Sequence, residues 1–100
     1  MLIKLVDRGR EGEAVLLGRL DAATAPKTWE VMEELTERFD RLVVNMAGLE
    51  YLTSDGLGIL KKTYMAMQQK SGTMTLSHVK KTIMEVLEIN GVTGWLEIES

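Results

Sequence analysis

The 100-residue chain has no cysteine and only one histidine, one proline and one phenylalanine. Without cysteine there is no disulfide framework and no thiolate metal site, a composition that fits a reducing cytoplasm. With His78 as the single imidazole, a histidine-based zinc site or a Ser-His-Asp triad lacks its parts. The opening Met1-Leu2-Ile3-Lys4 has no long apolar stretch of the signal-peptide kind, and no apolar run approaches the length of a membrane span, so no membrane insertion is expected. Basic excess is lacking too. The net charge of −3 argues against a direct nucleic-acid partner, which needs a basic face to meet phosphates. The basic doublets Lys61-Lys62 and Lys80-Lys81 fall in helical patterns and read as solvated faces. No nucleotide fingerprint is present: Gly56-Leu57-Gly58 lacks the third glycine of a dinucleotide motif and the Gly-Lys-Ser/Thr of a P-loop. No cofactor or metal is expected. Ser54 has no Gly-x-Ser-x-Gly elbow, and Asp21 with Asp55 has nothing to fix the separation or raise a pKa. The chain reads as a binding protein and not an enzyme.

What is present is apolar periodicity broken by clear stops. Leu2 to Asp7 predicts an edge strand, Arg8 to Gly12 a glycine-bearing turn, and Ala14 to Leu17 a more buried strand, together a hairpin. Asp21 to Pro26 reads as a loop into a helix, with Thr24 or a neighbour as cap and Pro26 tolerated in the first turn. Trp29, Met32, Leu35 and Phe39 then recur at helical spacing. Leu42 to Met46 predicts a central strand covered on both faces. Ala47 to Thr53 reads as a loop. Ser54 is expected to cap a second helix reaching about Gln69, with Leu57, Leu60, Tyr64, Met65 and Met67 on its apolar face. Thr73 to Leu76 predicts a strand. Ser77 is expected to cap a third helix over Val79 to Ile89, with Ile83, Val86 and Leu87 inward, before a last strand over Trp95 to Ile98. The order β-β-α-β-α-β-α-β predicts one domain over residues 1–100: an α/β fold with a mixed, mostly parallel central sheet of about five strands, an N-terminal hairpin and about three helices.

Leu42 to Leu60 carries the most specific pattern: a buried strand, a hydrophobic loop, then a helix opening on Ser54-Asp55-Gly56-Leu57-Gly58. This resembles the STAS-domain pattern of anti-sigma factor antagonists, in which the strand and loop lead to Asp-Ser-Ser/Thr/Ala-Gly-Leu-Gly. Three other segments resemble the family in order and spacing. They are Gly18-Arg19-Leu20-Asp21 with Thr24-Ala25-Pro26, Ser71-Gly72-Thr73-Met74-Thr75-Leu76, and Val86-Leu87-Glu88-Ile89-Asn90-Gly91-Val92. Four segments in register span nearly the whole chain. This sequence departs from the family at Thr53, where the family usually has Asp, and at Asp55, where it usually has a small residue.

The resemblance implies that Ser54 is phosphorylated by a serine-kinase-type anti-sigma factor, which supplies ATP and magnesium. The unphosphorylated form binds that partner and releases the sigma factor, and the phosphorylated form does not bind. It implies a partner surface at Asp21, Thr24, Thr53, Asp55, Gly56, Leu57 and Leu60, on a cytoplasmic monomer or weak dimer. Leu57 and Leu60 also fit the core, and Gly56 and Gly58 also fit close helix–sheet packing. A second reading keeps the fold and drops the switch: a constitutive STAS scaffold or transport-accessory interaction domain, which the altered Thr53-Ser54-Asp55 triplet favours.

Overall fold

A hairpin opens the chain. β1 (Leu2–Arg8) runs antiparallel to β2 (Glu11–Leu20), with Arg8 opposite Glu11 across the turn. Gly9 takes φ +85°, a left-handed conformation that glycine adopts without Cβ strain, and its N–H donates to the Asp7 carboxylate at 2.9 Å. The remaining elements alternate: α1 (Ala25–Arg38), β3 (Arg41–Leu52), α2 (Ser54–Gln69), β4 (Thr73–Ser77), α3 (Lys81–Ile89), a 3₁₀ turn Val92–Gly94, and β5 (Glu97–Ile98). The structure is a computed structural model and describes residues 1–99.

Strand order in the sheet follows chain order, β1-β2-β3-β4-β5, and every pair after the hairpin is parallel. Three right-handed crossovers that each step one strand the same way deposit all three helices on one face. Burial follows that topology. Ala14, Leu16 and Leu20 of β2, Leu42, Val44 and Met46 of β3, and Met74 and Leu76 of β4 are buried under Met32 and Leu35 of α1, Ile59, Leu60 and Met67 of α2, and Ile83 and Leu87 of α3. Glu13, Val15, Val43, Asn45 and Thr75 point to the other face and are half-exposed. The central strand is therefore covered on one face, and the expected double cover is corrected. On the open face Asn45 donates to Glu13 at 2.8 Å and Arg8 donates to the same carboxylate at 2.7 Å.

β3, at 12 residues, is more than twice as long as the nearly continuous apolar run Leu42 to Met46 that announces it. Ala47 to Leu52 is strand, not loop. Pairing with β2 steps from Val15–Asn45 to Leu17–Gly48 and from Gly18–Leu49 to Arg19–Tyr51, so β3 carries an extra residue at each shift. The bulges carry the inward face from Met46 on to Leu49 and then Leu52, both buried.

Other boundaries move as well. Ser77 ends β4 and does not cap a helix; it is buried, with its hydroxyl unpartnered. His78 takes φ +54° and α3 begins only at Lys81, with no side-chain cap. Trp95 lies outside β5, Met65 is exposed, and Val86 is half-buried.

α1 and α2 are locked end to end by one cation. Lys70, just past α2, donates from Nζ to the carbonyls of Thr36 (2.8 Å) and Phe39 (2.9 Å) at the α1 C-terminus. These carbonyls have no intrahelical partner and carry partial negative charge, so a lysine there both pairs them and complements the dipole. Lys70→Met is expected to lower unfolding free energy by about 1.5–3 kcal/mol in urea denaturation, since hydrogen bonds to charged groups contribute that order.

Candidate functional site

The site forms where β2 and β3 end side by side. Leu20 pairs with Leu52, and the Thr53 N–H donates to the Leu20 carbonyl at 3.1 Å, so the loop after β2 and the start of α2 leave the sheet as neighbours. Gly56 lets α2 lie this close. A Cβ on Gly56 would stand 2.6 Å from the Leu20 carbonyl oxygen and 2.8 Å from the Leu20 and Leu52 side chains.

Thr53, not Ser54, caps α2. It has extended dihedrals, and its hydroxyl accepts from the Gly56 N–H at 3.4 Å while its carbonyl accepts from the Leu57 N–H at 2.9 Å. Ser54 becomes the first helical residue. It is exposed, and its hydroxyl makes no hydrogen bond among the described residues. Asp55 follows, also exposed, in the first turn where a carboxylate suits the helix dipole.

Asp21 is held by its own loop. Its Oδ1 accepts from the N–H groups of Ala23 (3.1 Å) and Thr24 (3.2 Å), and its Oδ2 lies 3.6 Å from Arg19 Nε. Thr24 does not cap α1 through its side chain; its hydroxyl donates to the Arg19 carbonyl at 2.9 Å and accepts from the Asp21 N–H at 3.0 Å. Desolvation pulls the Asp21 carboxyl upward. The Thr24 and Ala23 N–H groups, with Arg19 and the Thr24 hydroxyl, outweigh it and hold the carboxyl below the ordinary aspartate value. Arg19 also lies over the exposed Tyr51 ring, 4.5 Å from its centroid.

From Ser54 a shallow groove of about 210 Å³ runs down α2, walled by Leu57, Gly58 and Lys61 on one side and Asn90, Val92 and Trp95 on the other. Ser54, Leu57, Gly58 and Lys61 share a helix face at i, i+3, i+4 and i+7. Trp95 packs against Tyr64 with ring centroids 5.0 Å apart.

The structure thus brings Ser54, Asp55, Thr53 and Leu57 to one surface and sets the Asp21–Thr24 loop beside it. Gly56 is buried and Leu60 is 1% exposed, so these two shape the site from beneath. Arg19, Tyr51, Lys61, Asn90 and Trp95 were not singled out for the site from sequence. The i+7 spacing from Ser54 is a signal for Lys61, and the β2–β3 register brings Arg19 to Tyr51. Nothing local in the sequence ties Asn90 or Trp95 to Ser54.

A mixed sheet with all helices on one face, and an exposed, uncommitted serine at the start of α2, define a small α/β domain. The chain matches the family described as Mlab, STAS domain, over residues 5–98, and it belongs to the STAS-domain family. Among curated relatives it is similar to the anti-sigma-B factor antagonist of Listeria monocytogenes, 25% identical over 84 residues that cover 83% of this chain and 74% of that one. It is also similar to the anti-sigma F factor antagonist of Paenibacillus polymyxa, 28% identical over 79 residues, covering 77% and 68% respectively. Among solved structures, the unphosphorylated anti-sigma factor antagonist SpoIIAA superposes with TM-score 0.78 at 15% identity, covering 99% of this chain and 88% of that one. An anti-sigma factor antagonist from Mycobacterium paratuberculosis superposes with TM-score 0.87 at 19% identity, covering 97% and 83%. At these identities the superpositions show the shared fold: five strands, three helices and one antiparallel pair.

This geometry sets one expectation for stability and a second for pH. Gly56→Ala is expected to cost about 1–3 kcal/mol of stability by overpacking, and Ser54→Ala to stay within about 0.5 kcal/mol as an exposed change, both read from urea denaturation. The second concerns pH. Because the folded Asp21 carboxyl titrates below its unfolded value, its contribution to stability is fully present above the unfolded pKa and is lost as pH falls through the folded one. Asp21→Asn should remove that acid-side loss, and a side-chain carbonyl NMR titration of the native chain should place Asp21 below the ordinary aspartate 3.8.

Proposed function

We propose that this protein is an anti-sigma factor antagonist whose Ser54 is phosphorylated by a serine-kinase-type anti-sigma factor, with phosphorylation ending the complex. The carrying observation is the division of labour at the start of α2. Thr53 does the capping, so the neighbouring Ser54 hydroxyl is exposed and has no structural duty. The ordinary explanation for a serine before a helix, that it caps, is taken by its neighbour. The same geometry bears on the family's usual Asp at this place. Asp and Thr are both good N-cap residues, so Thr53 keeps the structural role of the residue it replaces.

The chemistry is division between partners. The kinase brings ATP and magnesium, and this chain brings the hydroxyl that accepts the phosphoryl group. Asp21, Thr24, Thr53, Asp55 and Leu57 form the docking surface, with Gly56 and Leu60 supporting it from below. The N–H groups of Ser54 and Asp55 lie in the unpaired first turn, and the helix start tolerates added negative charge. A phosphate adds about −1.5 to −2 charges at pH 7 beside Asp55 and near Asp21. An acidic group on the partner surface that accepts the bare hydroxyl then faces a cluster of like charge. The protein acts by binding, as a cytoplasmic monomer or weak dimer. The antagonist names of its curated relatives do not favour the scaffold or transport-accessory reading.

Incubation with the cognate kinase and ATP-magnesium, followed by phosphopeptide mass spectrometry, should place the phosphate on Ser54. In calorimetric titration against the kinase, Ser54→Asp should bind at least tenfold more weakly, about 1.4 kcal/mol. Ser54→Ala should bind as native and stay bound after ATP is added. Phosphate on another residue, or native affinity for Ser54→Asp, would sink the switch.

A further inference from the structure

β1 is a sheet edge: β2 pairs with one side of it and nothing among the described residues pairs with the other. A free edge offers a row of unpaired N–H and C=O groups, and proteins usually guard one with charge, proline, a bulge or short length. β1 carries the charges Lys4, Asp7 and Arg8 but none of the other guards. It runs seven residues, pairs with β2 without a register shift, contains no proline, and exposes Leu2, Leu5 and Val6. Beside it a groove of about 370 Å³ opens against α1, with Ile3 and Val31 in its walls.

Symmetry selects what fits this edge. Residues directly opposite in an antiparallel pair share a face. Two copies joined edge to edge by a two-fold axis also keep their helices on the same side, so the axis must fall on a residue facing its own mate. Centred on Lys4, two lysines oppose each other; centred on Val6, Lys4 faces Arg8 twice; centred on Asp7, two carboxylates meet. Centred on Ile3, the pairing leaves Val6 to Arg8 unmatched. Centred on Leu5, all seven residues pair: Leu5 with Leu5, Lys4 with Val6, Ile3 with Asp7 and Leu2 with Arg8, and no like charges stand opposite. Charge fits as well. Val6 stands opposite Glu13 of β2, so in this register the mate's Lys4 lies in the same cross-strand row as Glu13, two strand spacings or roughly 10 Å away. Glu13 already accepts from Arg8 and Asn45, so the mate's Lys4 would join that polar cluster from across Val6.

We propose that the chain self-associates through antiparallel β1–β1 pairing centred on Leu5, joining two sheets into one. A single strand pair buries less than the roughly 1,200 Å² of a stable interface, so the dimer is weak and concentration-dependent.

The absence of cysteine gives a direct test of register. Opposed residues have Cα atoms about 4.5–5.5 Å apart, within disulfide range. Leu5→Cys is expected to link into a covalent dimer in glutathione buffer much faster than Val6→Cys, whose mate faces Lys4. The native chain should show a faster-sedimenting species that grows with concentration, and Leu5→Lys should abolish it while circular dichroism shows the fold retained. A native chain that sediments as a monomer up to millimolar concentration would overturn the proposal. So would Leu5→Cys linking no faster than Val6→Cys.

Discussion

The hydrogen bond from the Thr53 N–H to the Leu20 carbonyl, at 3.1 Å, fixes where everything at the working end of the molecule stands. It closes the parallel β2–β3 ladder and leaves both chains at the same edge, one turning into the Asp21 loop and the other into α2. Parallel strands share such an end because the α1 crossover carries the chain back to the starting end of the sheet before β3 begins. The buried Gly56 then lets α2 start directly above Leu20, where no side chain fits. Ser54 and Asp21, far apart in sequence, owe their proximity to one ladder and one missing Cβ.

Much of this arrangement is legible in the residues. The order of elements, the hairpin, the end of α2 at Gln69 and the helix register of Met32, Leu35, Leu60 and Met67 follow from alternation, helical spacing and stop signals. The far half of β3 does not. Its buried residues Leu42, Val44 and Met46 keep a period of two, but Leu49 and Leu52 follow at intervals of three because two bulges intervene. Period-two reasoning sees a loop there, and only pairing with β2 restores the strand. Ser77 misleads in a related way. A serine ahead of an apolar helical run resembles a cap, yet β4 pairing with β3 extends through Ser77 and leaves its hydroxyl buried. Both errors come from non-local pairing overriding local preference.

The candidate site divides the same way. Ser54, Thr53 and Asp55 are contiguous, so a motif finds them, although which of Ser54 and Thr53 is the cap is settled by dihedrals and not by identity. Leu60 shows the converse. It belongs to the same motif, yet helical geometry turns it into the core, while Lys61, its neighbour in sequence, faces the groove with Ser54. Asn90 and Trp95 reach that groove because α3 and the 3₁₀ turn return beside α2. Their involvement is a property of the crossover after β4, which no short motif records.

The placement of polar and apolar material sets how the surface can be altered. The core is built from leucine and methionine on one face of the sheet, with Thr28 and Thr63 buried only because their hydroxyls back-bond to the Thr24 and Ile59 carbonyls. Ser54 touches none of this network. A charge added there acts on a stability of about 5–15 kcal/mol only through exposed, screened interactions. At a contact surface the same charge is desolvated, where a like-charge encounter can cost several kcal/mol. A domain of this size has one core and little spare stability, so a conformational switch would draw on the interactions that keep it folded. Under the proposed switch, an exposed hydroxyl at a capped helix start would let affinity change tenfold or more, about 1.4 kcal/mol, while the fold stays as it is.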